Sequence, residues 1–308
     1  MFRFVMPDPS LPFPVILASL RMQFEAFEHS DALQELFALL AVDRRTLGEV
    51  YGGRAAAGGG VRELQELRPL EALEQYRVAL YPLFRELGLV DINRPLREDY
   101  NRILVLGGSL SACRSRTAAA ASWVTPAVRS VDGLSCYRPI NPVERRACAF
   151  QSSSDTEFGV LSDAFVSVFG LSGQPEDQFH GDRNLNRISC VRTFAGAGGE
   201  CSFRVFAAPS TQPEERRADT GDTLRFYLQQ TPAGPSDSLL AVTNNRHCSG
   251  QFLQLAYDLC REGCPVRLDV IGCFSDEDIT RADQYDPYLY LQELIRILDW
   301  IDRFDQLP

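Results

Sequence analysis

Groups able to move protons or hold anions recur wherever an apolar run of this chain ends. The run Leu239-Leu240-Ala241-Val242 empties into Thr243-Asn244-Asn245-Arg246-His247. A histidine opening a helix has its pKa lowered by the helix dipole, and a neutral imidazole can act as a base or a hydrogen-bond donor. It is one of three histidines; His29 and His180 lie in segments without comparable polar company. Another run, Ile103-Leu104-Val105-Leu106, stops at Gly107-Gly108-Ser109, with Arg114 and Arg116 beyond. Arginines in the first turns of a helix oppose its dipole unless an anion sits nearby. Further on come Tyr137-Arg138-Pro139 and Ser154-Asp155-Thr156-Glu157. The densest stretch follows Ala207-Ala208-Pro209-Ser210: Arg216-Arg217-Ala218-Asp219-Thr220-Gly221-Asp222-Thr223. Arginine suits phosphate or carboxylate, and aspartate suits sugar hydroxyls or a base edge.

His247, Glu157 and Asp222 are therefore the candidate catalytic groups. Gly107, Gly108, Ser109, Arg114, Arg116, Arg138, Ser210, Arg216, Arg217, Asp219, Thr220, Thr243 and Asn244 are the candidate ligand-binding positions. Each has a plainer account. The arginines fit a solvated helix face, Arg138-Pro139 an ordinary turn, and the 216–223 cluster a set of pairs three and four residues apart. Ser154 with Glu157 reads as a capping box, as does Thr211 with Glu214 after Pro213. His247 fits a simple cap.

Composition narrows the chemistry. The 308 residues contain no lysine, so all 31 basic residues are arginine. A phosphate loop of the Walker type needs its lysine and a Schiff base needs an amine, so neither class is expected. Anions would have to be held by arginine, backbone N–H groups and helix N-termini. A net charge of -10 speaks against a nucleic-acid backbone as partner. Nine cysteines occur without a CxxC pair, and Cys260 and Cys264 have no histidine nearby, so reduced buried thiols are expected and a metal is not. G-x-G-x-x-G and G-x-S-x-G are both absent, which removes the dinucleotide fingerprint and the nucleophile elbow. No apolar window is long enough to span a membrane and no signal-peptide core opens the chain, so the expectation is a cytoplasmic protein.

The elements that must carry these residues fall into two textures. Before residue 100 the spacing predicts helices: Val15 to Glu28, Ser30 to Leu40 capped by Ser30, and Val61 to Leu87, broken near Pro69 and Pro82 and closed by Gly88. Tyr51 to Gly60 is an Ala/Gly loop. From residue 101 strands are expected near 102–106, 130–135, 188–194, 203–208, 239–243 and 266–271. Helices are expected near 111–124, 156–170, 213–230, 248–262 and 287–304. Strands alternating with long helices imply right-handed crossovers and a mostly parallel sheet. The expected fold is α/β, a three-layer Rossmann-like sheet at 101–308 behind an all-helical region at 1–100. In the closing helix Leu294, Ile297, Ile301 and Phe304 form one stripe, predicted to pack on the sheet. Ligands of such sheets lie beyond the carboxyl ends of the strands, where the polar residues cluster.

Three motifs together resemble the YdcF/SanA/ElyC-like family of bacterial domains. They are Leu104-Val105-Leu106-Gly107-Gly108 with its arginine-bearing helix, the Asp/Thr-rich turn at 216–223, and Leu240 through His247. The resemblance covers roughly residues 102–272 and leaves the N-terminal helices without a counterpart. It implies a Rossmann-like fold and a pocket for a nucleotide-like ligand; S-adenosylmethionine binding is associated with one member of that family, and the cofactor of this chain is left open. It carries Gly107, Gly108, Asp219, Thr220, Thr243 and His247 into that pocket. The chain departs from the pattern at Asp222-Thr223, where Glu-Asn is usual, at Asn244-Asn245, and in a longer insertion around 136–200. It also looks like a larger bacterial group with motifs matching Arg138-Pro139, Thr156-Glu157-Phe158 and Ala208-Pro209-Ser210 through Thr223, to which no activity is attached. The expected function is binding of a nucleotide-like or other phosphorylated small molecule, with transferase or hydrolase chemistry on it. The alternatives are a non-catalytic ligand sensor, with the helical region relaying the signal, and a protein-interaction module.

Overall fold

In the computed structural model, residues 1–307 are described except 53–70, 148–149, 196–200, 265 and 275–282. Seven strands form one sheet: β1 (Arg102–Leu106), β2 (Ser130–Ser135), β3 (Glu176–His180), β4 (Ser189–Phe194), β5 (Ser202–Ala207), β6 (Ser238–Asn244) and β7 (Arg267–Cys273). Their order is β3-β4-β5-β2-β1-β6-β7. β5, β2, β1, β6 and β7 run parallel, whereas β4 is antiparallel to β5 and β3 to β4. In chain order the five parallel strands lie 3-2-1-4-5, as in doubly wound sheets. Such a sheet opens a crevice where the winding reverses, here between β1 and β6.

The apolar continuity of β1 follows from its place. Ile103, Leu104 and Val105 are fully buried because both faces of the sheet are covered. Side chains alternate between two cores. Ile103 and Val105 join Val131, Leu240 and Val242 under helices α6 (Leu110–Ala121) and α8 (Glu157–Phe169). Leu104 and Leu106 join Leu239, Ala241 and Phe206 under α9 (Thr220–Gln230) and α10 (Cys248–Arg261). That second core runs on without a break into α1 (Phe13–Glu28), α2 (Asp31–Leu40), α3 (Arg44–Tyr51), α4 (Glu71–Glu74), α5 (Arg77–Glu86) and α11 (Pro287–Phe304). The short α7 (Pro142–Ala147) completes the helices of the described residues.

Several expectations give way to local chemistry. β3 is fully exposed and carries no alternation, so nothing in its composition marks it; only pairing to β4 makes it a strand. The helix predicted from 213 starts at Thr220. There Asp219 accepts from the Asp222 backbone N–H at 3.0 Å and the Asp222 carboxylate accepts from the Asp219 N–H at 3.1 Å, a capping box eight residues later than Thr211–Glu214. Thr156, not Ser154, caps α8 through Gly159 N–H, and Ser154 donates to Asp163 instead. Ser30 precedes α2, but its hydroxyl donates back to the Phe27 carbonyl. Pro82 lies inside α5, where burial of Leu80, Leu83 and Phe84 outweighs the missing N–H. Gly88, at φ +79°, closes α5 as expected. The stripe of α11 is buried as predicted, yet it packs on α10 and the N-terminal helices and not on the sheet. Pro69, the Ala/Gly stretch 53–60 and residues 61–70 lie outside the described residues.

Phe304 binds these parts together: its ring centroid lies 5.0 Å from Phe24 of α1 and 5.4 Å from Tyr257 of α10. Phe304→Ala is expected to cost about 3–5 kcal/mol. Urea unfolding should show this as one shifted transition; a separate transition for the N-terminal helices would disprove the shared core.

Candidate functional site

The crevice at the winding reversal is a cavity of about 1040 Å³. Its floor is the ends of β1, β2 and β6; its walls are the first turns of α6, α8, α9 and α10; α11 and the end of α3 close the far side. Such volumes suit a small-molecule ligand.

Gly107 and Gly108 lie on this floor, but the space they leave is taken by protein groups. A Cβ on Gly107 would run into the Glu157 carboxylate, and one on Gly108 would press on the Arg116 guanidinium. The glycines therefore admit one acid and one base to the end of β1. Arg116, 5% exposed, donates from Nε to Asn244 Oδ1 at 2.6 Å and from Nη1 to the carbonyls of Leu106 (2.9 Å) and Gly107 (2.5 Å). It thus bridges the end of β1 to the end of β6. All these acceptors are neutral, and among the described residues no carboxylate pairs with it.

Arg138 is the opposite case. Its Nε donates to Glu157 at 2.9 Å, Nη1 to Glu144 at 2.7 Å and Nη2 to the Gly108 carbonyl at 2.8 Å. Burial works against its charge, yet the two carboxylates outweigh that and raise its pKa. Glu157 and Arg138 both line the cavity, joined to each other. Cys136 beside them has its thiol pushed up to about 12 by burial and the Glu157 charge, which keeps it protonated.

Across the floor, His247 ends a single 3-10 turn after β6 and stands directly before α10. Its Nδ1 lies 3.0 Å from Oε1 of Glu293, a carboxylate of α11 with no exposed surface. Burial pushes the imidazole below its ordinary pKa; Glu293 opposes this, and Arg246 and Arg116 add to the fall. Arg246 Nε approaches His247 Nε2 at 3.4 Å. The wall beyond is amide-rich. Arg296 donates to Gln254 at 2.5 Å, Gln292 donates to the Tyr51 carbonyl at 2.6 Å, and buried Gln251 has a carbonyl oxygen without a partner among the described residues.

The predicted residues separate cleanly. Ser109, which caps α6, and Arg217, Thr220 and Asn244 line the cavity along with His247, Glu157, Gly107, Gly108, Arg116 and Arg138. Asp219 and Arg216 also reach it, though Arg216 is held by Asp222 at 2.5 Å and by Gln212 at 3.0 Å. Four lie elsewhere. Asp222 is buried in the α9 cap, its carboxyl held below the usual range because Arg216 and Thr211 outweigh burial. Arg114 lies over the Phe150 ring, 5.9 Å from its centroid. Ser210 accepts from the Gln212 N–H, and Thr243 is sealed in β6. Sequence reasoning missed Glu144, Arg246, Gln251 and Glu293. Only Glu293 left a signal, as an acid next to Leu294 on the apolar face of α11. Among the described residues no three His, Cys, Asp or Glu side chains are placed to hold a metal ion.

Asp258 of α10 faces Gly221 in the first turn of α9, where a Cβ would displace its carboxylate. Burial raises its pKa to about 6. A carboxyl whose pKa rises on folding binds its proton more tightly when folded, so stability falls as pH climbs from about 4 to 6. Asp258→Asn should match the wild type at pH 4 and exceed it by about 2–3 kcal/mol at pH 7.5 in urea titrations; equal stability at both pH values would contradict this. Arg138→Met, which strands two buried carboxylates, should cost about 3–5 kcal/mol by the same measurement. No protein-family model, curated protein or solved structure matches the chain, so the cavity is read on its own geometry.

Proposed function

We propose that the cavity binds a phosphorylated, nucleotide-like small molecule within a Rossmann-like architecture, its anionic group seated between Arg116 and the N-terminus of α6. One observation carries this reading: Arg116 is a buried cation whose partners are all neutral. Burying an uncompensated charge costs several kcal/mol, and a ligand anion at the cavity floor offsets that cost. Arg116 retains Nη2 without a protein acceptor among the described residues. Helix α6 starts beside it, adding the positive end of its dipole. Arg138 and Arg216, spent on carboxylates, are framework. The strand order and the YdcF-like motifs around Gly107 and His247 support the same placement, with S-adenosylmethionine one ligand to test. Transferase or hydrolase chemistry on the phosphorylated ligand is the activity this reading favours.

A sensor reading has its own support, because Gly48 and Gly52 of the α3 segment line the cavity and Gln292 ties its far wall to Tyr51. Ligand binding would then raise hydrogen-exchange protection in residues 44–52. No change there would remove that alternative.

Calorimetric titration with inorganic phosphate, adenosine monophosphate and S-adenosylmethionine tests the main proposal. At least one phosphate-bearing ligand should bind, and Arg116→Met should weaken it tenfold or more, the loss of a charged hydrogen bond of about 1.5–3 kcal/mol. Arg114→Ala, outside the cavity, should leave affinity unchanged. Equal weakening by both variants, or no phosphate binding at all, would defeat it.

A further inference from the structure

We infer that Glu293 positions His247 as a base, making the cavity a site of proton abstraction from a water or ligand hydroxyl held beside the bound anion. This rests on the reading of Arg116 given above for where the ligand sits, but not for the base itself.

Three observations converge. Glu293 is an acid with no exposed surface; one of its oxygens lies 3.8 Å from Arg296 of the same helix, which leaves the other to face off α11, and burying a carboxylate is costly unless partners need it. The carboxylate reaches the one histidine in the cavity, at 3.0 Å from Nδ1, an ion-pair approach and not an aligned hydrogen bond. The two residues belong to different elements, separated by all of α10 and β7, so ordinary local capping does not explain their meeting. With a carboxylate at Nδ1, that nitrogen carries the proton of the neutral ring and Nε2 carries the lone pair. Nδ1 itself is sealed, so the accessible part of the ring is the edge away from Glu293. Arg246 Nε, 3.4 Å from Nε2, agrees with an acceptor there.

The step balances simply. The O–H bond of the nucleophile breaks and its proton passes to Nε2, while its oxygen's electron pair forms a bond to phosphorus of the bound ligand as the P–O bond to the departing oxygen breaks. The imidazolium faces the Glu293 carboxylate, and it later returns the proton to the departing oxygen. Glu293 touches neither nucleophile nor ligand and is a positioning residue. The charges facing the ring are Glu293 and Arg296 from α11, Arg116 from α6 and Arg246 from its own turn.

Carbethoxylation by diethyl pyrocarbonate reads the base without knowing the substrate, because the reagent acylates neutral imidazole nitrogen. Peptide mass spectrometry of the full chain follows His247, with exposed His29 and His180 as internal references. Wild-type His247 should react, with a pH midpoint below the ordinary imidazole value. Glu293→Gln removes the carboxylate that supports the ring's basicity, so its limiting rate should fall at least threefold and its midpoint should move lower. Glu293→Asp keeps the charge and should fall between; if Glu293→Gln fails to fold, a rate for Glu293→Asp equal to wild type overturns the inference. An unreactive wild-type His247, or an unchanged Glu293→Gln profile, does so too. Inorganic phosphate should slow His247 alone. If it does not while Glu293→Gln still reacts slowly, the base stands and the anion reading of Arg116 falls.

Discussion

One guanidinium ties together the strand ends at the place where the winding of the sheet reverses. β1 and β6 pair directly, but beyond their carboxyl ends a doubly wound sheet leaves a crevice, because the crossover helices leave on opposite faces. Arg116 joins those ends, taking the Leu106 and Gly107 carbonyls on one side and Asn244 on the other. Gly108 exists to let it in, and Gly107 does the same for Glu157. The strand-end turn that looks in sequence like room for a ligand is room for the protein's own charges.

Those charges fall into two classes. Arg138 and Arg216 are matched by carboxylates that satisfy their forks, which makes them rigid and electrically quiet. Arg116 is rigid as well, yet only dipoles compensate it. Rigidity without neutralisation is what a preorganised anion site requires, since no side chain must be ordered when the ligand arrives. His247 and Glu293 form the complementary arrangement, a buried acid held against a group that gains or loses charge.

The fold was legible wherever burial imposes a period. Six of the seven strands and helices α6, α8, α10 and α11 fall where they were expected; α9 starts late, the short α7 was not expected, and β3, exposed on both faces, carries no apolar spacing. Boundaries failed where polar groups compete: Thr211 and Asp219 are both plausible caps, and only the Asp222 carboxylate, buried by tertiary packing, chooses between them. The site was half legible. Residues following strands were found because chain direction places them at one edge of the sheet. Glu293 and Gln251 were not, because they reach the cavity from helices whose docking no local pattern specifies. Arg114 and Arg116 look alike in sequence, two residues apart on one helix; their roughly 200° angular separation sends one inward and the other out over Phe150.

The seating of α11 has a kinetic meaning. Phe24 meets Phe304, and Arg44 pairs with Asp302, so the earliest helices and the last one close a single core around the parallel sheet. Contacts this distant in sequence are slow to form, because loop closure must be paid before packing returns anything. The cavity floor comes from β1, β6 and α6, whereas the carboxylate beside His247 comes from the last helix, so the proposed base is complete only in a chain whose two ends have met.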